Sequence, residues 1–214
     1  MSGASFPVML DLDRLPVLVV GGGAVATRKV KALAEAGGRP VILAPQATDA
    51  LRDLVRSYGL MWTRRAYAAG DVAGFRMVVT ATDDPAVNGA VAEEARVAGA
   101  LVQRADEGGD SDFHVPAHVR SDDVVVAVST GGASPLLARR LRERLEAEVV
   151  TPGLGRASRR LAEVRADVQA RWAGDESRRR AFWFDLITPE FLDLAVAGRD
   201  EDVEQAITRC LSQS

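Results

Sequence analysis

Three consecutive glycines close one apolar run and open a helical pattern: LPVLVVGGGAVATRKV contains Gly21-x-Gly23-x-x-Ala26, with Gly22 between the first two. That spacing suits the pyrophosphate of a dinucleotide. The first glycine permits a tight turn, the second lets an anion approach the backbone, and the small Ala26 lets the helix pack close on the strand. Free amides at the helix start then face the phosphates. A glycine-rich turn of an α/β protein without a ligand is the competing reading.

Other residues of chemical interest follow at the ends of later apolar runs. The second run ends in LAPQA, so Ala44, Pro45 and Gln46 offer no carboxylate to adenosine ribose hydroxyls and no arginine to a 2′-phosphate. Gln46 can bond a ribose hydroxyl, and NAD versus NADP stays open. The fourth run ends in TATDDP, where Thr82 or Asp83 is expected to cap the next helix and to lie over the cofactor edge. Asp106 ends ALVQRAD, at the edge where doubly wound sheets hold ligands. A carboxylate there can accept a proton or orient a substrate nitrogen as hydride leaves; a turn or capping aspartate is the alternative. His114 and His118, four apart in an expected strand, would share one face. No further ligands accompany them, so no metal is assigned.

The elements that must position these residues alternate. Strands are expected over 16–21, 41–44, 60–64, 77–81 and 100–105, and helices over 24–36, 47–58 and 85–98. Apolar strands separated by amphipathic helices imply a parallel sheet covered on both faces. After the polar break EGGDSD come two more strands, 113–119 and 123–128, and a helix from Ser134-Pro135 to about Val149. Its stripe of Leu137, Leu141, Leu145 and Val149 would pack on another helix or on a second subunit. Beyond Thr151 the chain reads as all helical, 154–172, 176–187, a short piece from Pro189, and 202–211. This tail carries Arg156, Arg159, Arg160, Arg165, Arg171 and Arg178 to Arg180, then many acids. A solvated helix face or a surface for a polycarboxylate accounts for them. The boundaries are therefore 1–110 for a dinucleotide-binding domain, 111–149 for a small α+β segment, and 150–214 for a helical region.

Composition excludes several classes. The chain has 214 residues, 47% hydrophobic and 27% charged, and a formal charge of -3, which disfavours bulk binding of nucleic acid or an anionic membrane. All basic residues except Lys29 and Lys31 are arginine. Cys210 alone forms no intrachain disulfide, and no run reaches the roughly 20 apolar residues of a membrane span. The first residues lack a secretory pattern. A cytoplasmic location is expected.

Four collinear blocks, VLVVGGGAVATRKVKALAEAGG, TATDDPAVNGAVAEEA, ALVQRADEGGDSDFHVPAHV and VVVAVSTGGASPLLARRLRERLE, together resemble the precorrin-2 dehydrogenase family, the amino-terminal module of siroheme synthases. The resemblance runs from about residue 6 to 147 and is most specific in AVSTGGASPLLARRLRE. It implies a Rossmann-type parallel sheet and NAD-dependent dehydrogenation of precorrin-2, a reduced tetrapyrrole, to sirohydrochlorin on the route to siroheme. Some members also act as ferrochelatases on the product.

Carried over by position, the resemblance places Gly21, Gly22, Gly23, Ala24 and Val25 at the pyrophosphate, Pro45 and Gln46 at the ribose, and Thr82 and Asp83 in the family's TDD turn. Asp106 falls on the family's catalytic aspartate. Residues 113–146 resemble its dimerisation segment, so a homodimer is expected. Two departures stand out. QRAD replaces a more usual NVVD, which puts Arg104 beside Asp106 and is expected to favour the carboxylate. STGG replaces SSGG, with Thr130 in place of the second serine. Ser129, Thr130, Gly131 and Gly132 could form an amide-rich turn for a substrate carboxylate.

A polycarboxylate tetrapyrrole asks for forked donors, for which Arg104, His114, His118, Arg120, Arg139 and Arg140 are candidates. No room remains for the methyltransferase domain of multifunctional siroheme synthases, so a stand-alone module is expected. A regulatory or assembly protein that binds dinucleotide or tetrapyrrole without turnover is the alternative from another class.

Overall fold

The apolar run Val17–Val20 (β1) is buried at every position, and so is Met77–Thr80 (β4). Strands buried on both faces must lie between two helical layers. The computed structural model, which describes residues 5–213, builds this arrangement in the first of two compact units, Met1–Val115 and Pro116–Ser214. Its other strands are Val41–Leu43 (β2), Trp62–Thr63 (β3) and Leu101–Arg104 (β5). The sheet is parallel in the order β3-β2-β1-β4-β5. Register is fixed at the centre, where Val19 stands between Ile42 and Val79.

Side-chain alternation sorts the sheet into two cores. Val17, Val19, Ile42 and Val79 pack with Val30 and Leu33 of helix Ala24–Glu35 (α1) and Leu51 of helix Asp49–Tyr58 (α2). Leu18, Val20, Val78 and Val102 pack on the opposite face with Val91 and Ala95 of helix Pro85–Val97 (α3). Strand order reverses at β1, where β2 lies on one side and β4 on the other. The crevice beyond the carboxyl ends of those strands is where such folds bind ligands.

Two sequence expectations are corrected. The strand expected over 60–64 is only Trp62–Thr63, because the edge pairs with β2 alone and Trp62 turns its Nε1 to donate to the Ala44 carbonyl at 2.9 Å. The strand expected from Phe113 begins at Ala117. Pro116 has no amide to donate, and the preceding stretch is held to β5 instead, Asp112 N donating to Val102 O at 2.8 Å. His114 therefore lies outside the strand that carries His118, and the two do not share a strand face.

The second unit starts with the antiparallel hairpin Ala117–Ser121 (β6) and Val124–Val128 (β7). Helix Pro135–Glu148 (α4) follows, then Pro152–Arg171 (α5), Glu176–Leu186 (α6), Pro189–Val196 (α7) and Asp200–Gln213 (α8). Ser134, Thr151, Asp175 and Thr188 each cap a helix by accepting a backbone N–H, and proline occupies the first turn of α4, α5 and α7. Val164, Val168, Phe182, Phe191 and Ile207 form the core of the four carboxyl-terminal helices. Among the described residues no helix is long and apolar enough to cross a membrane.

Candidate functional site

The glycine turn is braced from both sides. Gly21 N donates to Leu43 O at 3.0 Å, Thr48 N donates to Gly22 O at 3.0 Å, and Ala81 N donates to Val20 O at 2.8 Å. A Cβ on Gly21, whose φ is 130°, would lie 2.2 Å from the Ala81 carbonyl oxygen, and one on Gly22 would lie 1.9 Å from that of Gln46. Gly23 differs: nothing stands within 4 Å of its Cβ position. It is also the N-cap of α1 and offers no side-chain cap, and Thr27 N is the first amide to bond back along the helix, to Gly23 O at 2.9 Å. The amides of Ala24, Val25 and Ala26 are thus available to an anion in front of the helix.

A cavity of about 730 Å³ opens at this point. Gly21, Gly22 and Gly23 line it from β1, Pro45 and Gln46 from the end of β2, and Thr82 and Asp83 from the end of β4. Its size and its position over the reversal of strand order suit a dinucleotide, and the empty Cβ position at Gly23 leaves the close approach a pyrophosphate needs. Ala24 and Val25 are the first residues of α1, directly after the glycines, and are not among the residues that line the cavity. Asp83 and Asp84 are carboxylates of the lining, and none comes from the β2 end.

The turn after β4 is built differently from expectation. Asp84, rather than Thr82 or Asp83, caps α3, its Oδ1 accepting from Ala86 N at 2.8 Å. Thr82 instead binds Asn88, a wholly buried residue of α3: Asn88 Oδ1 accepts from Thr82 N at 3.1 Å and Oγ1 at 2.8 Å, and Nδ2 donates to Thr82 O at 3.0 Å. Sequence reasoning passed over Asn88, although a signal existed. It sits in register with Val91, Ala92 and Ala95 on the buried stripe of α3, where a polar residue needs a partner. Tyr67, which also lines the cavity, was missed because its loop has no local pattern; its hydroxyl donates to Glu94 of α3, and Gly70 N donates to the same carboxylate at 2.7 Å.

Asp106 stands just past the end of β5, at the rim and outside the cavity lining. Its side chain is one-quarter exposed and is gripped by Arg104, whose Nη2 donates to Oδ2 at 2.9 Å and Nε to Oδ1 at 3.3 Å. The Arg104 guanidinium, first of all, holds the Asp106 carboxyl below its ordinary value, and a hydrogen bond from Asn88 acts in the same direction against partial burial. The effect expected from the QRAD departure is therefore present. Arg104 is committed further, to Asp110 at 2.9 Å and Glu107 at 3.0 Å, and its own pKa is raised by these acids. Among its contacts it serves as a clamp on the protein's own carboxylates rather than as a donor open to a substrate.

The other substrate candidates belong to the second unit, except His114, which is exposed in the stretch before β6. Thr130 Oγ1 donates to Ser134 O and accepts from Ser134 N, both at 3.2 Å, and Ser129 Oγ accepts from Gly131 N at 3.2 Å. Gly131 and Gly132 have φ of 60° and 86°, which gives the turn its curl. Arg139 and Arg140 share Glu143, both at 2.9 Å, and His118 Nδ1 lies 3.1 Å from Pro116 O. Of the tail arginines, Arg156 is paired with Asp200, Arg160 with Glu204 and Arg159 with Asp122. These three pairs favour the solvated-face reading of the tail over a polycarboxylate surface.

Fold and site together define a dinucleotide-binding protein of the doubly wound α/β class. The chain belongs to the family described as "Putative NAD(P)-binding", whose model matches residues 8–117. A second model, described as sirohaem biosynthesis protein central, matches residues 126–148. Siroheme synthase of Methylococcus capsulatus is 41% identical over 202 residues, and that of Chromobacterium violaceum 38% over 201, each match covering 94% of this chain and 42% of the relative. The chain thus spans less than half the length of these curated relatives. Among solved structures, SirC, precorrin-2 dehydrogenase, is 28% identical with a TM-score of 0.74, covering 94% of this chain and 98% of that one. The resemblance drawn from the four sequence blocks stands.

Proposed function

We propose that the chain is an NAD-dependent dehydrogenase that converts precorrin-2 to sirohydrochlorin. The observation that carries this reading is the likeness to a precorrin-2 dehydrogenase along nearly the whole of both chains. The reaction removes two electrons and one hydrogen as hydride and releases one proton. The bound nicotinamide supplies the hydride acceptor. The Gly21–Gly23 turn and the α1 amides hold the pyrophosphate, and Gln46 and Asp83 offer hydrogen-bonding groups to the sugar hydroxyls. Asp106, kept ionised by Arg104, stabilises the positive charge that grows on the macrocycle as hydride departs. Its depressed pKa suits that role better than proton abstraction, and the released proton passes to water.

The same reading includes a cytoplasmic location and a homodimer. The dimer is supported by Leu137 and Leu141 of α4, which are 51% and 40% exposed in the single chain, so their stripe is not covered by the chain's own tail.

Anaerobic incubation with precorrin-2 and NAD+, followed by NADH absorbance, tests the proposal. The native protein is expected to form NADH, and Asp106→Asn to lose about a hundredfold or more in kcat. Tight binding of both ligands without NADH formation would instead select the non-catalytic alternative. Iron insertion into sirohydrochlorin, assayed without dinucleotide, separates dehydrogenation alone from dehydrogenation joined to ferrochelation.

A further inference from the structure

Gly23 caps α1 without a side chain and nothing crowds its Cβ position, so the residue itself does little to fix the peptide that follows it. That orientation is set from Thr27, one turn along α1. Gly23 O accepts from Thr27 N at 2.9 Å and from Thr27 Oγ1 at 2.8 Å, which fills both lone pairs of the carbonyl. In a planar trans peptide the carbonyl and the next N–H point in opposite directions. Holding Gly23 O down the helix therefore aims the Ala24 N–H out of its amino end, toward the anion.

A threonine that bonds back to the carbonyl four residues earlier is common in helices. This one is held in turn by a second hydroxyl. Thr27 Oγ1 and Thr48 Oγ1 lie 2.8 Å apart, and Thr48, which lines the cavity, accepts from Leu51 N at 3.1 Å as the cap of α2. Since the single Thr27 hydroxyl hydrogen goes to Gly23 O, the hydrogen between the two threonines is that of Thr48. The bonds thus run one way, from Leu51 N–H through Thr48 and Thr27 to Gly23 O, and each polarises the next. Thr48 N also donates to Gly22 O at 3.0 Å, so two successive carbonyls of the glycine turn are tied to these two residues.

We infer that Thr27 and Thr48 are positioning residues of the dinucleotide site, a pair of linked hydroxyls that aim the Ala24 amide at the pyrophosphate. The inference rests on the pyrophosphate lying against the glycine turn, and not on the oxidation of precorrin-2. Thr27→Val keeps the shape of the side chain and loses the hydroxyl. It is expected to weaken NADH and ADP-ribose alike, each about threefold to tenfold, because the two ligands share the pyrophosphate. Thr27→Ser should restore both affinities to within about twofold, since it returns the donor and the acceptor. Thr48→Val removes the cap of α2 and lowers Tm. Its hydroxyl reaches the turn through Thr27, so the double variant should bind NADH only as weakly as the weaker single variant, short of the product of the two losses. In the wild type, the Ala24 amide signal of a 15N-correlated NMR spectrum is expected to move on addition of ADP-ribose.

A folded Thr27→Val with wild-type Kd values would overturn the inference. So would a loss that Thr27→Ser does not restore, losses that multiply in the double variant, a loss confined to NADH, or an Ala24 signal that ADP-ribose leaves in place. If the affinities and the Ala24 signal respond as expected while no form of the protein oxidises precorrin-2, the dehydrogenase reading fails and the role of Thr27 and Thr48 stands. If the native protein oxidises precorrin-2 and Thr27→Val binds both ligands as the wild type does, the dehydrogenase reading stands and this inference falls.

Discussion

Gly22 and Gly23 are adjacent, yet their side-chain positions meet opposite surroundings, and this separates folding from binding at the scale of one residue. A methyl at Gly22 runs into the Gln46 carbonyl, whereas one at Gly23 enters open space in front of α1. Gly22→Ala should therefore lower Tm by several degrees and weaken NADH by at least about tenfold, while Gly23→Ala loses affinity with a clearly smaller loss of Tm, that of an alanine at a helix N-cap. Thermal melts paired with NADH fluorescence titrations check both, and equal Tm losses in the two variants would refute the distinction. The sequence made Gly21 and Gly23 legible through their spacing. The constraint on Gly22 comes from Gln46, on another loop, and has no local signature. Arg104 bears on a different observable. Because it is the largest cause of the low Asp106 pKa, Arg104→Gln raises that pKa, so activity that persists to low pH in the wild type fails earlier as pH falls. Asp106 and Asp110 are both depressed by the clamp. The stability they contribute is present at neutral pH and is lost as pH falls through their folded-state pKa values. The Tm gap between wild type and Arg104→Gln should accordingly narrow in acid, which melts from pH 7 downward would show.

At the scale of elements, α3 does more than cover the sheet, since three of its polar residues each hold a different loop. Asn88 holds the Thr82 turn, Glu94 holds the loop of Tyr67 and Gly70, and Arg96 holds the segment after β5 through Asp110 at 2.7 Å and Asp112 at 3.4 Å. The helix itself was readable, from its Pro85 start and its apolar spacing, and so were the central strands, which are apolar throughout. Less readable were elements whose ends depend on distant partners: β3 is cut to two residues by its place at the edge, and Phe113 follows β5 rather than entering β6. Glu94 offers a direct test of the bracing. Burial first, and then the Glu94 hydrogen bond and charge, push the Tyr67 hydroxyl up to about 12. In Glu94→Gln the phenolate should appear at lower pH, though still above 10 because burial remains, and NADH affinity should fall as the Tyr67 wall loosens. Ultraviolet titration of the wild type against the variant resolves this. An unchanged Tyr67 titration would show that Glu94 does not hold the loop.

At the scale of the whole molecule, the second unit presents what a single chain leaves unfinished. β6 and β7 pair with each other alone among the described strands, and an isolated two-stranded ribbon is at best marginally stable in water. Beside it, α4 buries Ala138 but leaves Leu136 63% exposed, in addition to Leu137 and Leu141. Four arginine-glutamate pairs along the same helix, Arg139 and Arg140 with Glu143, Arg142 with Glu146 and Arg144 with Glu148, keep the flanks of that stripe polar. An apolar seam with charged margins is the anatomy of a subunit interface, and in the proposed homodimer a second copy would meet it with the same surface. A stable interface needs about 800 Å² from each partner, more than one leucine stripe supplies, so the free edges of the hairpin are expected to take part as well. A dimer makes Tm rise with protein concentration, because the folded state is drawn toward association. Leu141→Glu, which sets a charge in the seam without touching the dinucleotide cavity, should give a monomer in sedimentation equilibrium at micromolar concentration, abolish the concentration dependence of Tm, and leave the NADH Kd as in the wild type. A wild-type chain that sediments as a monomer under the same conditions, with a Tm independent of concentration, would mean that the exposed leucines of α4 serve something other than self-association.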